Sequence, residues 1–409
     1  EVFKTPFLAN GGIFPGSLPG GTNLSAADAK ASTSSYLPDQ KLPYSIQWNI
    51  GVQHVFHNDY TLESRYLGTR GVHLLVQNRL NRQAKVDPTH FLPTYFTAPS
   101  QSVLDGLSNT LASITARPSY VPAYANAGFN GANIVGFMPW GNSNYHGMAN
   151  QLTRRFSKGF QMMVAYTWSH NIDDSTATHF STLLSPRRPQ DFRNLRGERS
   201  NSPLDRRHRL TLNWLWEMPY LAHSKNWAAK NLIGNWSVVG TYTAESGEWV
   251  TAQSGTDTNM DGDSAGDRTV INPAGDPKLG STVTALKNTK GDTVAYVAKN
   301  SNARYVTANA GALADGGRNT VLMPGINNFD ISLGKKFNFT ENKYFQFRAD
   351  FSNAFNHAQY TAGLINSVKL TSQTGSRIFL QPNNAAFQQW SQNFPSNSRS
   401  IQLVAKIVF

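Results

Sequence analysis

The chain has no cysteine, which excludes disulfide staples and thiolate metal centres and suits a protein exposed to an oxidising envelope. It also lacks any run of about 18 apolar residues, so no helix is expected to cross a bilayer. Barrel strands escape that exclusion, because only every second residue of each need be apolar, and a negative mean hydropathy does not argue against them. Acidic residues are scarce: 25 Asp and Glu stand against 37 Lys and Arg, for a net charge of +12. The cations are scattered through alternating and loop segments without a recognisable nucleic-acid motif. A wet lumen or an anionic lipopolysaccharide surface explains them better, and no nucleic-acid partner is expected. No signal peptide and no initiating Met precede Glu1, so an N-terminal part of the protein is expected to be missing.

What is present is alternation. The last nine residues place Ile401, Leu403, Ala405, Ile407 and Phe409 on one face, with Gln402 and Lys406 on the other. Side chains alternate across a strand, so this is the pattern of a closing strand with a lipid face and a wet face. The same period recurs in 44–56, 60–80, 145–156, 160–169, 210–218, 236–244, 329–339 and 345–351. A helical period of similar strength is absent. Tight turns near 57–59, 157–159 and 340–343 alternate with long connections at 81–144, 173–205, 251–327 and 358–398, rich in Gly, Pro, Asn and Ser. Bacterial barrels have short periplasmic turns and long extracellular loops. The connection 219–235 breaks the rule, being of middle length on the expected periplasmic side.

These signals predict an all-β fold, an antiparallel transmembrane β-barrel portion of about nine to twelve strands with long extracellular loops. Counting back from a periplasmic C-terminus puts residues 1–43 outside the cell and leaves 44–409 as the C-terminal portion of the barrel. A bacterial barrel has an even strand number and both ends in the periplasm, so the portion is expected to be incomplete on its own. The remaining strands would come from the same full-length protein or from another chain.

Several stretches then carry a resemblance. PYSIQWNIGVQHVF (43–56), ESRYLGTRGVHLL (63–75), NYHGMANQLTRRFSKGFQMMVAYTWSHNIDD (144–174), DRRHRLTLNWLWEMP (205–219), NNFDISLGKKF (327–337) and FQFRADFSNAFNHAQY (345–360) resemble, in order and spacing, the barrel of Oar-like TonB-dependent receptors. The resemblance implies an outer-membrane receptor taking up a scarce or large ligand with energy passed on by TonB. It further implies an N-terminal regulatory domain and a plug, and TonB contacts through those regions, none of which is in this chain. The tail ending at Phe409 resembles the signal read by the barrel-assembly machinery. Alternatives are a surface-assembly protein whose free strand edges associate, or a passive porin. No enzyme activity and no cofactor apart from calcium are expected.

Calcium is suggested by Asp257, Asn259, Asp261 and Asp263, with Gly262 at the turn and Asp267 beyond. Their spacing matches a calcium loop up to the sixth position, but Arg268 stands where a bidentate Glu is needed. The rival reading is a solvated turn. Gly262 to Gly266 formally matches a nucleophile elbow but lacks the strand and helix that an elbow requires. Arg187, Arg188, Arg193, Arg196 and Arg199 crowd one loop, and their forked donors suit lipopolysaccharide phosphate or another anionic ligand. His170, Asp173, Asp174 and His179 follow a strand and read as polar rim rather than an acid–base cluster. Asp205, Arg206 and Arg207 read as salt bridges between strands, and Lys335 and Arg348 as charges within the lumen.

Overall fold

The computed structural model describes residues 34–35, 40–131, 133–175, 186, 188–222, 224–264, 266–340, 342–360, 379–394 and 396–409. Nine long strands dominate it: β1 (Tyr44–Phe56), β2 (Tyr60–Arg79), β3 (Val135–Ser157), β4 (Phe160–Asp173), β5 (His208–Glu217), β6 (Trp236–Glu245), β7 (Ile326–Asn338), β8 (Tyr344–Ser352) and β9 (Ser400–Val408). Each pairs antiparallel with its neighbours in chain order, from β1 at one edge to β9 at the other. The two edges do not pair with each other, so the described wall is an open, curved portion and not a closed barrel. Of the expected extracellular segment 1–43, Ser34–Ser35 runs parallel to Val135–Gly136 at the start of β3.

The tight turns form where short-range chemistry demands them. Between β3 and β4, Lys158 and Gly159 have φ of 50° and 79°; two successive left-handed residues define the hairpin turn whose twist matches paired strands. Between β1 and β2 the three-residue connection 57–59 also turns through left-handed residues, His57 and Asn58, with φ of 48° and 55°. Strand β3 begins about ten residues before the alternating segment 145–156. It does so because β2 also runs on, and the pair crosses register shifts at Gly71/Leu74 and Leu74/Val76. A membrane strand needs only about 9–11 residues, so these two strands rise beyond the bilayer at the end carrying the long connections.

The register sorts the wall into two faces. Ile401, Phe351, Ile331, Gly240, Trp214 and Met162 lie side by side across β9 to β4, and Leu403, Ala349, Leu333, Val238, Trp216 and Phe160 form the next row. Two glycines are required on this face. A Cβ at Gly68 would lie 2.1 Å from the Trp48 ring, and one at Gly240 would lie 2.0 Å from the Trp214 ring, so each indole lies across a neighbouring strand that has no side chain there. The opposite face is hydrophilic. There Thr241 donates to Asn213 at 2.9 Å, Ser332 to Asp350, and Arg348 pairs with Asp350 at 3.0 Å, as expected of a lumenal Arg348.

Lys335 departs from the expectation. It pairs with Trp236 and Phe347 and shares the face of Leu333 and Phe337, so it belongs to the apolar side and not to the lumen. The two-residue period outranks the charge in deciding direction. Because one face meets lipid, Ile50→Arg at the middle of β1, where Ile50 is 72% exposed, is expected to destabilise the folded wall by about 2–4 kcal/mol. Asn49→Arg, on the wet face, should be nearly neutral. Urea unfolding in liposomes measures both, and equal effects would contradict the assignment of faces.

Candidate functional site

The apolar cores of this chain are not in the wall. Among the described residues, all three hydrophobic clusters lie in the long connections. One gathers Val250, Tyr305, Val321 and Met323 around Phe379 and Leu380; another packs Leu92 and Ile114 against Tyr296 and Val306. The connections expected to be long loops are thus folded into a cap with its own small sheets. Val270–Ile271, Ala303–Val306 and Asp276–Ser281 make one, and Val283–Lys287, Thr293–Ala298 and Thr94–Tyr95 another. The run Thr293–Ala298 is apolar and bounded by turn residues, a local signal of a buried strand.

A buried charge cluster ties the cap to the wall. Arg318, 1% exposed, donates from Nε to the Glu198 carbonyl at 2.8 Å and from Nη2 to the Asp173 carbonyl at 2.7 Å, and it pairs with the Asp173 carboxylate. Arg268 pairs with Glu198, and Ser202 donates to Asp173 at 2.5 Å. Asp205, fully buried, accepts from the Asn171 amide at 2.7 Å and from Trp249 Nε1 at 3.1 Å, and pairs with Arg207. Arg206 bridges Glu245 and Glu248 at 3.0 and 3.2 Å, the salt bridging expected at this rim. Burial raises the Glu248 carboxyl above its ordinary range even beside Arg206. Sequence reading missed Arg318, Arg268 and Glu198. No local pattern could reveal them, since Arg318 and Asp173 stand 145 positions apart.

The acidic loop is held by its own backbone. Asp257 accepts from the amides of Asp261 and Gly262 at 3.1 and 2.8 Å, Asn259 from Asp261 at 3.0 Å, and Asp261 from Asp263 at 2.9 Å. Asp267 takes both the amide and the hydroxyl of Thr258 at 2.9 Å. Asp263 is bound by Arg188 and lies 3.5 Å from Arg79. Among the described residues no group of three or more His, Cys, Asp or Glu side chains is gathered as a metal site. Burial, then the neighbouring Asp257 and Asp263, push Asp261 up to about 8. Burial, then Asp261, raises Asp267 as well.

The candidate anion-binding arginines divide. Arg188 is spent on Asp263 and Arg199 pairs with Asp174 at 3.4 Å. Arg193, exposed, donates to the Leu80 carbonyl at 3.2 Å, and Arg196 is exposed on a short 3₁₀ turn, Leu195–Glu198. Beside that turn, Gln190, Asn194, Arg268 and Gly316 line a cavity of about 210 Å³. Arg187 and His179 lie outside the described residues. His170 bonds to Asn201 at 2.9 Å, Asp174 accepts from the Asn142 amide at 3.0 Å and Asp173 pairs with Arg318, so the described members of that cluster have separate partners. Of the terminal row, Ile401, Leu403, Ile407 and Phe409 are exposed on the apolar face with Ala405 between them, Phe409 at 95%.

A family model described as an outer membrane beta barrel domain matches residues 2–402. No curated relative matches the sequence. Among solved structures, the chain is similar to the outer membrane transporter YddB from Escherichia coli, with 8% identity over 93% of this chain and 35% of that one, at a TM-score of 0.36. It is similar to a mutant ferric enterobactin receptor PfeA from Pseudomonas aeruginosa, with 11% identity over 90% and 31% at a TM-score of 0.37. The pyoverdine receptor FpvA from the same species gives 9% identity over 89% and 29% at 0.35. The chain spans about a third of the length of these proteins.

Proposed function

Because the chain belongs to the outer membrane beta barrel domain family, and so lies in the outer membrane, we propose that it forms wall and cap of a receptor that takes up a ligand with energy supplied through TonB. The observation that carries this reading is the placement of the apolar cores in the long connections, which the reading puts on the extracellular side. A passive porin works through an open mouth, whereas a receptor needs an ordered outer surface to capture a scarce ligand. The ordered cap, latched by Arg318 and Arg268, is such a surface, with Arg193 and Arg196 available to anionic groups of a ligand or of lipopolysaccharide. TonB contact is assigned to regions outside this chain, and the exposed row ending at Phe409 to recognition by the barrel-assembly machinery.

Edges decide what else is needed. Among the described residues strand β1 pairs on one side only, and it is exposed along both faces. Unpaired backbone groups are costly in lipid, so further strands must cover β1 and β9, from the same polypeptide or another. That same edge favours a second reading, in which copies of the wall associate edge to edge. Planar bilayers distinguish these functions. Full-length protein is expected to show no steady potassium chloride conductance and to bind the soluble periplasmic domain of TonB. A large constant conductance without TonB binding would establish a porin instead, and a detergent-resistant homo-oligomer would support edge association.

A further inference from the structure

The connection between β5 and β6 is longer than its neighbours at the short-turn end, where residues 57–59, 158–159 and 339–343 suffice. It holds Lys225 and Lys230 and no acidic residue. Its large apolar side chains stay exposed: Tyr220 66%, Trp227 57%, Leu232 60% and Ile233 62%. Water-exposed apolar groups at this density call for a cover.

The segment is nonetheless firmly seated. Asn231 accepts from the Asn338 amide at 2.7 Å and donates to its carbonyl at 3.2 Å, and the Asn235 carbonyl accepts from the Lys336 amide at 3.1 Å. Lys335, which projects from the membrane-facing side, is 3% exposed because its Nζ donates to the Leu232 carbonyl at 3.2 Å and to the Gly234 carbonyl. It also lies 4.8 Å from the Trp236 ring and 5.4 Å from that of Phe337. These contacts place residues 232–234 against the lipid face of the wall, level with its last aromatic residues. A turn called π-helical, Ala229–Ile233, then presents Leu232 and Ile233 outward.

We propose that residues 224–235 form a foot that binds an anionic phospholipid of the periplasmic leaflet. Trp227, Leu232 and Ile233 meet its acyl chains, and Lys225 and Lys230 its phosphate. Three observations choose this occupant: exposed Leu232 and Ile233 adjoin the lipid face of the wall at Lys335 and Trp236, the segment carries only positive charge, and it sits at the interfacial level where aromatic rings and lysines bind lipid headgroups. Lys335 acts as the positioning residue that pins the foot to the wall. The inference rests on outer-membrane placement alone and not on receptor activity.

The test uses full-length protein in nanodiscs of phosphatidylethanolamine and phosphatidylglycerol, with native mass spectrometry of the lipid retained on transfer to detergent. The folded wild type is expected to retain phosphatidylglycerol preferentially. Lys225→Glu with Lys230→Glu should lower that retention on the order of tenfold and leave phosphatidylethanolamine unchanged. In a second measurement, brominated phosphatidylglycerol should quench wild-type tryptophan fluorescence more than that of Trp227→Phe. Unchanged retention in the folded charge-reversed protein overturns the proposal. So does a Trp227 signal quenched by aqueous acrylamide and not by brominated lipid, a readout that stands even if the double variant fails to assemble.

Discussion

Arg318→Met is expected to destabilise the cap by about 3–5 kcal/mol, the cost of leaving one half of a buried ion pair without its partner. Methionine preserves much of the side-chain volume, so the loss is electrostatic and not a cavity effect. Glu198 keeps Arg268 as counter-ion, whereas Asp173 keeps only the Ser202 hydroxyl. The orphaned group is therefore Asp173, and Arg318→Met combined with Asp173→Asn should recover most of the loss. Hydrogen exchange of the amides around 198–202 and 318–323 measures both variants. Additive losses in the double variant would show that the two side chains do not act as a pair. The wall should keep its protection throughout, because its strands are joined by main-chain hydrogen bonds that do not involve Arg318.

Raising the pH is expected to loosen the same cap through Asp261. Folding lifts its carboxyl from an ordinary 3.8 to about 8, chiefly by burial, so the folded cap holds the proton more tightly than the unfolded chain. The associated stability is complete below about pH 4 and is lost as pH rises towards 8, at up to about 1.4 kcal/mol per pH unit. Above that point the group's contribution is flat. Asp267, raised in the same direction, steepens the fall. Asp261→Asn keeps the acceptor for the Asp263 amide and removes the charge, so it should stabilise the cap at pH 8 and flatten the dependence. Exchange rates of amides 257–267 between pH 5 and pH 9, corrected for intrinsic rates, provide the measurement. A variant as pH-sensitive as the wild type would show that Asp261 is ionised in the folded cap.

The limits of sequence reading show in two residues. Lys335 was assigned to the lumen because it is charged, although its position two residues from both Leu333 and Phe337 already placed it among apolar neighbours. What the pattern could not supply was its solvation, which comes from carbonyls of Leu232 and Gly234 about a hundred positions away. Asp263 similarly reads as a cation ligand within its own loop. Its ion-pair partners Arg188 and Arg79 come from another connection and from the end of β2, and only the folded chain brings them within reach.

The sequence by itself determined the strands of the wall, their antiparallel order, the two faces and the end that bears the long loops. These follow from a two-residue period and from turns of two or three residues, which are local properties and survive in a linear string. Only the tertiary structure decided that the long connections are a cored cap, that Arg318 latches it to Asp173, and that residues 232–234 stand against the lipid face. Each depends on groups brought together across distant parts of the chain, where burial and the exclusion of water, not spacing, choose the partner.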